Sequence, residues 1–279
     1  MNVTREYYLS KLKSHIHDGF VKIITGIRRC GKSHLLFKQF KEYLIGTGVD
    51  ECNILEIPLD ADDFRPYRNA IALGEYLKSR LPTHRKSWYY VFIDEIQMCR
   101  KVLPEGVDLS RYAPEDREEL YVTFYDVLNG LRQCENVDVY VTGSNSKLLS
   151  TDIATNFRDR GVQIRIHPFS FGEYWPVSGC AERAQAFDRY LVWGGMPEAV
   201  ALQDEGERAE YLKRLFTEVY LKDICERHRL KGDYVLGNVI DCLSSAVGSL
   251  TNPSRLANTM KTLLRVETTD DTVNSYLGY

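Results

Sequence analysis

Five short runs of apolar, largely β-branched or aromatic residues punctuate the first 170 positions: Val21-Lys22-Ile23-Ile24-Thr25, Asn53-Ile54-Leu55-Glu56-Ile57, Trp88-Tyr89-Tyr90-Val91-Phe92-Ile93, Val137-Asp138-Val139-Tyr140-Val141-Thr142 and Val162-Gln163-Ile164-Arg165-Ile166. Their length and composition predict buried strands. Between them the pattern changes period. Leu36, Phe40 and Leu44 recur at helical spacing until Gly46 and Gly48 close the run, and Leu120, Phe124, Val127, Leu128 and Leu131 do the same before the fourth strand. Strands interleaved with helices predict an α/β fold with a parallel, doubly wound sheet. After the fifth strand the pattern is helical: Ala184 to Leu191, Arg208 to Arg229, Val235 to Val247, Ser254 to Leu264, and a last helix beginning near Asp270. The turn Ser249-Leu250-Thr251-Asn252-Pro253-Ser254 leads into an N-cap. The chain thus divides into a core (1–170), a helical segment (171–232) and a C-terminal helical segment (233–279).

The chain has 279 residues, enough for about two domains at roughly 150 residues each. With 44% hydrophobic and 27% charged residues it has ordinary globular composition. The net charge of −3 excludes a globally basic nucleic-acid binder. Seven scattered cysteines without CxxC spacing argue against a zinc knuckle or disulfide framework and for a reduced, cytoplasmic setting. The start lacks a signal-peptide stretch and no apolar run is long enough to span a bilayer, so no membrane association is expected.

One segment carries specific chemistry. The first strand runs into Gly26-Ile27-Arg28-Arg29-Cys30-Gly31-Lys32-Ser33, which satisfies GxxxxGK[ST], and a helix follows. Strand, glycine loop and helix form the context in which this motif holds a polyphosphate. Gly26 and Gly31 let the backbone turn its N–H groups inward, and the helix start adds a favourable dipole. Lys32 is expected to reach the β- and γ-phosphates and Ser33 to ligate Mg²⁺. The nucleotide-binding stretch therefore comprises Gly26, Ile27, Arg28, Arg29, Cys30, Gly31, Lys32, Ser33 and His34, with His34 on the helix surface.

The third strand ends in Asp94-Glu95. Two acids at the carboxyl end of a strand lie where open α/β sheets bind ligands. Asp94 would hold Mg²⁺ through water, and Glu95 would orient and deprotonate an attacking water. The second acid favours hydrolysis over phosphotransfer to another acceptor, and the lack of an NKxD motif disfavours GTP, so ATP is the expected nucleotide. The fourth strand ends in Gly143-Ser144-Asn145. Ser144 or Asn145, with Asn145 preferred, could position the water, and the same residues also suit a plain turn.

Taken together, the blocks Gly26 to Ser33, Phe92-Ile93-Asp94-Glu95-Ile96-Gln97, Val141 to Leu149, Pro168-Phe169-Ser170-Phe171-Gly172-Glu173-Tyr174 and Gly194-Gly195-Met196-Pro197-Glu198 resemble the AAA+ ATPases. More narrowly, they resemble the bacterial and archaeal ATPases that carry a C-terminal domain of unknown function. The resemblance implies a P-loop NTPase fold of AAA+ type: a three-layer core with a five-stranded parallel sheet, a helical lid and a partial winged-helix-like segment. It also implies an arginine finger within Asn156-Phe157-Arg158-Asp159-Arg160-Gly161, with Arg160 preferred over Arg158. A finger acting on a neighbour's γ-phosphate implies a homo-oligomer. Similar proteins continue into a further domain, so a longer chain is expected.

Residues 101–119 read as a charged, proline-containing insertion, expected to be disordered. Over residues 230–279 five acids (Asp233, Asp241, Glu267, Asp270, Asp271) outnumber four bases (Lys231, Arg255, Lys261, Arg265). Affinity for DNA rests on neutralising phosphates, so a protein contact or a structural role suits this segment better than DNA. The expectation is ATP binding and Mg²⁺-dependent hydrolysis coupled to a conformational change acting on a DNA or protein partner. The alternative is a nucleotide-gated binding switch with little turnover.

Overall fold

In the computed structural model, residues 3–82, 87–143, 160–221, 224, 225, 230 and 234–278 are described. They gather in two compact units, Met1–Ala201 and Leu202–Tyr279. Residues 171–201 of the expected lid therefore pack within the first unit.

The first unit is built on one parallel sheet of β1 (Val21–Thr25), β2 (Ile54–Pro58), β3 (Tyr89–Asp94), β4 (Val137–Gly143) and β5 (Gly161–Arg165) in the order β2-β3-β4-β1-β5. Every pairing is parallel, so chain alternation places side chains on two buried faces. On one face, Val21, Ile23, Ile57, Val91, Ile93, Val139 and Val141 pack with Leu73 and Leu77 of the helix Ala70–Arg80 and with Leu128 and Leu131 of the helix Phe124–Arg132. On the other, Ile24, Phe92, Tyr140, Ile164 and Ile166 meet Leu9 and Leu12 of the helix Glu6–Ser14 and Leu36, Phe40 and Leu44 of the helix after the loop. Each such large side chain contributes about 1.5–3 kcal/mol through burial. The result is the three-layer α/β/α core. The sequence pattern had not marked the helices Glu6–Ser14 and Ala70–Arg80.

The helix after the loop is α-helical over Lys32–His34 and Lys41–Gly46, with a π-wound middle at Leu35–Phe40. It stops at Gly48, whose φ of +95° lets the chain turn back while Val49 N–H donates to Leu44 O at 3.1 Å. The expectation of disorder for residues 101–119 is corrected. An antiparallel bridge pairs Val102 with Val122, Lys101 pairs with Glu118, and short turns at Leu109–Arg111 and Arg117–Leu120 fold the segment back. These pairings satisfy backbone groups that a floating loop would leave to water.

Within the same unit Val3, Phe169, Tyr174 and Ala186 form a smaller core, joined by Phe171 and Tyr190. A capping box starts the helix Phe171–Tyr174: Ser170 N–H donates to Glu173 Oε2 at 2.8 Å and Glu173 N–H to Ser170 Oγ at 3.3 Å. The helix Arg183–Trp193 ends at Gly194, with a φ of +68°.

In the second unit the expected long helix begins as Glu205–Arg214 and continues π-wound over Leu215–Leu221. The helices Tyr234–Ser245, Pro253–Thr259 (extended by a π turn, Met260–Leu264) and Asp270–Leu277 enclose Val239, Leu256, Ala257, Met260, Val266 and Val273. Asn252 caps the second of these, accepting from Arg255 N–H at 2.8 Å, with Pro253 in the first turn. No wing strand follows among the described residues. No helix among them is long and apolar enough to cross a membrane.

Candidate functional site: a phosphate loop facing an acid pair

β1 and β3 deliver the site. β1 ends at Thr25, and the chain turns at once through Gly26. A Cβ on Gly26 would lie 2.4 Å from Ile166 O, an impossible approach, so the loop hugs the chain leaving β5 only because this residue is glycine. Thr25 O accepts from Ile166 N–H at 2.7 Å, extending that contact. Gly31 has φ +101° and ψ 21° and stands immediately before the helix. Its left-handed backbone turns the chain into the first helical turn, where free N–H groups collect. Arg29 is left-handed as well, at φ 63°. Ile27, Arg28 and Arg29 are exposed, while the Cys30 thiol is fully buried with Sγ 3.7 Å from Ile166 O. Burial pushes that thiol's pKa up, so Cys30 is a packing residue.

Lys32 is 4% exposed, and its ammonium donates to Gly26 O and Ile27 O, each at 3.1 Å. The cation is thus curled across the mouth of its own loop. Ser33 and His34 are on the exposed side of the same turn. The Ser33 side chain lies close enough to the Asp94 carboxyl group to pull its pKa down, which brings the two expected Mg²⁺ ligands together.

Asp94 is buried at the end of β3. Burial pushes its pKa above the ordinary 3.8, with the charges of Glu95 and Asp60 adding, while the nearby Ser33 side chain and the hydrogen bond from Thr142 pull the other way. Such a carboxylate, desolvated and beside two further acids, gains from a cation. Glu95 follows in a left-handed conformation, φ 50° and ψ 50°, which lifts it out of the strand direction. Gln97 Nε2 donates to Glu95 Oε2. The oxygen donors at this point suit a hard divalent cation such as Mg²⁺.

Thr142 ties the third and fourth strands together at this point. Its hydroxyl donates to Asp94 Oδ1 and accepts from Glu95 N–H at 3.1 Å. The sequence singled out the next residues instead; Ser144 and Asn145 lie outside the described residues, as does Arg158. Thr142 lies one residue before the end of β4, adjacent to the acid strand, and the sheet order was the missing signal. Arg160 is described, at the opposite end of the sheet. Its carbonyl oxygen accepts from Val21 N–H at 3.1 Å, at the amino ends of β1 and β5. At ~3.3 Å per residue this lies ~16 Å from the start of the loop, so the structure does not bring Arg160 to the loop of its own subunit.

A cavity of about 280 Å³ adjoins the loop, lined by residues that include Val3, Arg5, Gly31, His34, Phe169 and Pro197. Arg5 had no signal in the local pattern, since it precedes an unmarked helix; Phe169 falls in one of the blocks that carry the resemblance, where it had no role assigned.

Two family models match the chain in succession. One described as an AAA domain covers residues 18–175, and a domain of unknown function, DUF8612, covers residues 184–279. A Haemophilus influenzae protein described only as uncharacterised is 32% identical over 99% of this chain and 63% of its own length. A second uncharacterised protein, from Methanocaldococcus jannaschii, is 25% identical over 93% of this chain and 54% of its own. The chain therefore spans between half and two thirds of these curated relatives. Among solved structures, the Orc1 protein of Aeropyrum pernix in complex with DNA is similar at 15% identity and a TM-score of 0.36, over 100% of this chain and 83% of that one. A Thermotoga maritima protein related to the DNA polymerase III gamma subunit is similar at 13% identity and a TM-score of 0.39, over 98% and 92%. Scores this low carry no argument about activity. The glycine loop, the parallel order β2-β3-β4-β1-β5 and a family model covering more than half the sequence agree: the chain belongs to the AAA-domain family, with the DUF8612 domain in its C-terminal part.

Proposed function

We propose that the protein binds ATP with Mg²⁺ at this loop and hydrolyses it. The observation that carries the reading is the meeting of Ser33 and Asp94 beside Lys32: two oxygen ligands for a hard cation within one turn of a polyphosphate cradle. Backbone amides from Gly26 to Ser33 hold the phosphates, and Lys32 exchanges its two carbonyl partners for the β- and γ-phosphate oxygens. Ser33 and Asp94 would hold Mg²⁺, which when bound neutralises charge building on the phosphate oxygens. Glu95 accepts the proton of the attacking water, and Thr142 fixes the backbone that aims it. The cavity beside Gly31 takes the base, with Phe169, Pro197 and the His34 side chain as its walls. Ser144 or Asn145 is proposed to steady the water, and Arg160 to act on a neighbouring subunit. Residues 171–232 are proposed to work as a lid and 233–279 as a winged-helix-like contact for a DNA or protein partner.

Phosphate release measured with purified protein tests the reading. Glu95→Gln is expected to lower kcat by about 10²–10⁴ while nucleotide still binds. Equal turnover in this variant and the parent would contradict the assignment. One observation favours the second reading, a nucleotide-gated switch: the Glu95 carboxylate is engaged by Gln97 and must leave that partner to act. Under that reading Gln97→Ala speeds hydrolysis, whereas under simple turnover it does not.

A further inference from the structure

The geometry points to Arg5 as a positioning residue that sets the shape of the phosphate loop from behind, an assignment that rests on the nucleotide-binding reading above. Arg5 is 2% exposed, and its guanidinium is spent on three separate parts of the fold. Nη1 donates to Cys30 O at 3.2 Å, Nη2 to His167 O at 2.7 Å, and Nε to Glu173 Oε1 at 2.8 Å. The Tyr8 and Phe169 rings lie 4.6 and 5.1 Å from its central carbon. The Arg5 backbone N–H donates to Gln39 Oε1 at 2.9 Å, and Gln39 Nε2 to Val3 O at 2.7 Å, fastening the segment to the helix that follows the loop.

The contact with Cys30 O has a specific consequence. That carbonyl belongs to the peptide joining Cys30 to Gly31, and in a planar trans peptide C=O and N–H point in opposite directions. Holding the oxygen toward Arg5 turns Gly31 N–H the other way, toward the hollow of the loop. Gly31, at φ +101°, has no side chain to fix this orientation by packing. A buried, charge-assisted anchor therefore does so. Glu173 balances the guanidinium charge, which accounts for a carboxylate here beyond its capping role. Arg5 and Phe169 also line the cavity beside Gly31, so one side chain links the loop, the base cavity and the segment after β5. Lysine cannot serve three acceptors in a plane.

The experiment compares the parent with Arg5→Lys and Glu173→Gln. Hydrogen exchange is followed without nucleotide in peptides covering residues 26–33 and β3, and KM and kcat for MgATP are measured. Arg5→Lys is expected to speed exchange in the loop peptide with β3 unchanged, and to raise KM by about tenfold, the loss of roughly one charged hydrogen bond, with kcat nearly retained. Glu173→Gln is expected to shift both in the same direction by less, and it carries the test if Arg5→Lys does not fold. Unchanged loop exchange and KM would overturn the assignment, as would a loss of protection spread equally over β3. If the parent binds no MgATP yet the variant loop still exchanges faster, the anchor stands and the nucleotide reading falls.

Discussion

Asp94 carries a conflict that pH can expose. Its pKa is raised chiefly by burial, so the folded chain holds this proton at pH values where the unfolded chain has released it. Between the unfolded value and the raised folded one, the native state binds more protons, and stability falls as pH rises through that window. Above it the full cost persists. Asp94→Asn removes that cost and is expected to stabilise the nucleotide-free protein at neutral pH, read as a higher Tm, while abolishing the proposed Mg²⁺-dependent hydrolysis. Under the proposed role, protonation of Asp94 competes with Mg²⁺, so activity at limiting Mg²⁺ should fade on the acid side. A variant no more stable than the parent would show that Asp94 is not strained by burial. Thr142 is testable at the same scale. Thr142→Val leaves Asp94 and Glu95 N–H without their shared hydroxyl, a loss of about 1–3 kcal/mol. Turnover should drop with little change in nucleotide affinity, and an unchanged kcat would remove Thr142 from the site.

At the scale of elements, the two ends of the sheet divide their work. The carboxyl ends carry the loop and the acids. Near the amino ends, Lys22 and Asp138 form a buried ion pair on adjacent strands. Asp18 Oδ1 lies 2.8 Å from the same ammonium, and Tyr140 OH donates to Asp138 Oδ2 at 2.9 Å. Asp138→Asn leaves the buried Lys22 ammonium with Asp18 as its carboxylate partner and weakens the acceptor of the Tyr140 hydroxyl, a cost of about 1–3 kcal/mol. Asp138→Asn should therefore lower Tm by about 5 °C and leave the nucleotide Kd unchanged below the transition; a loss of affinity in the folded variant would contradict this division. The strands were legible in the sequence because β-branched and aromatic runs flanked by turn residues have few alternatives, and each lies within one residue of its expected bounds. Arg5 and the helix Glu6–Ser14 were not. That helix has polar residues among its apolar ones, and its buried Tyr8, Leu9 and Leu12 acquire meaning only once β5 and the loop helix supply the surface they cover. Residues 101–119 misled for a related reason: local composition reads as loose, and the bridge to Val122 is a pairing that composition does not encode.

For the whole molecule, the position of Arg160 separates a self-sufficient site from a shared one. Its place at the far end of the sheet from its own loop means that the role proposed for it requires a neighbouring subunit. ATPase rate per subunit should rise with protein concentration, and Arg160→Ala should remove that rise. An activity independent of concentration, unaltered by Arg160→Ala, would show that each chain works alone. The P-loop and the acid pair were legible from spacing because phosphate chemistry dictates residue type and order. The cavity proposed to take the base was not, since Val3, Gly31, Phe169 and Pro197 meet only through the fold. The most direct test of the central claim is a calorimetric titration of the protein and its Lys32→Ala variant with MgATP. The expected result is one saturable site per chain in the parent and binding weakened by about 100-fold or more in the variant, the loss of a charge-assisted contact worth about 3 kcal/mol. No heat from the parent, or equal binding by both, would contradict the account.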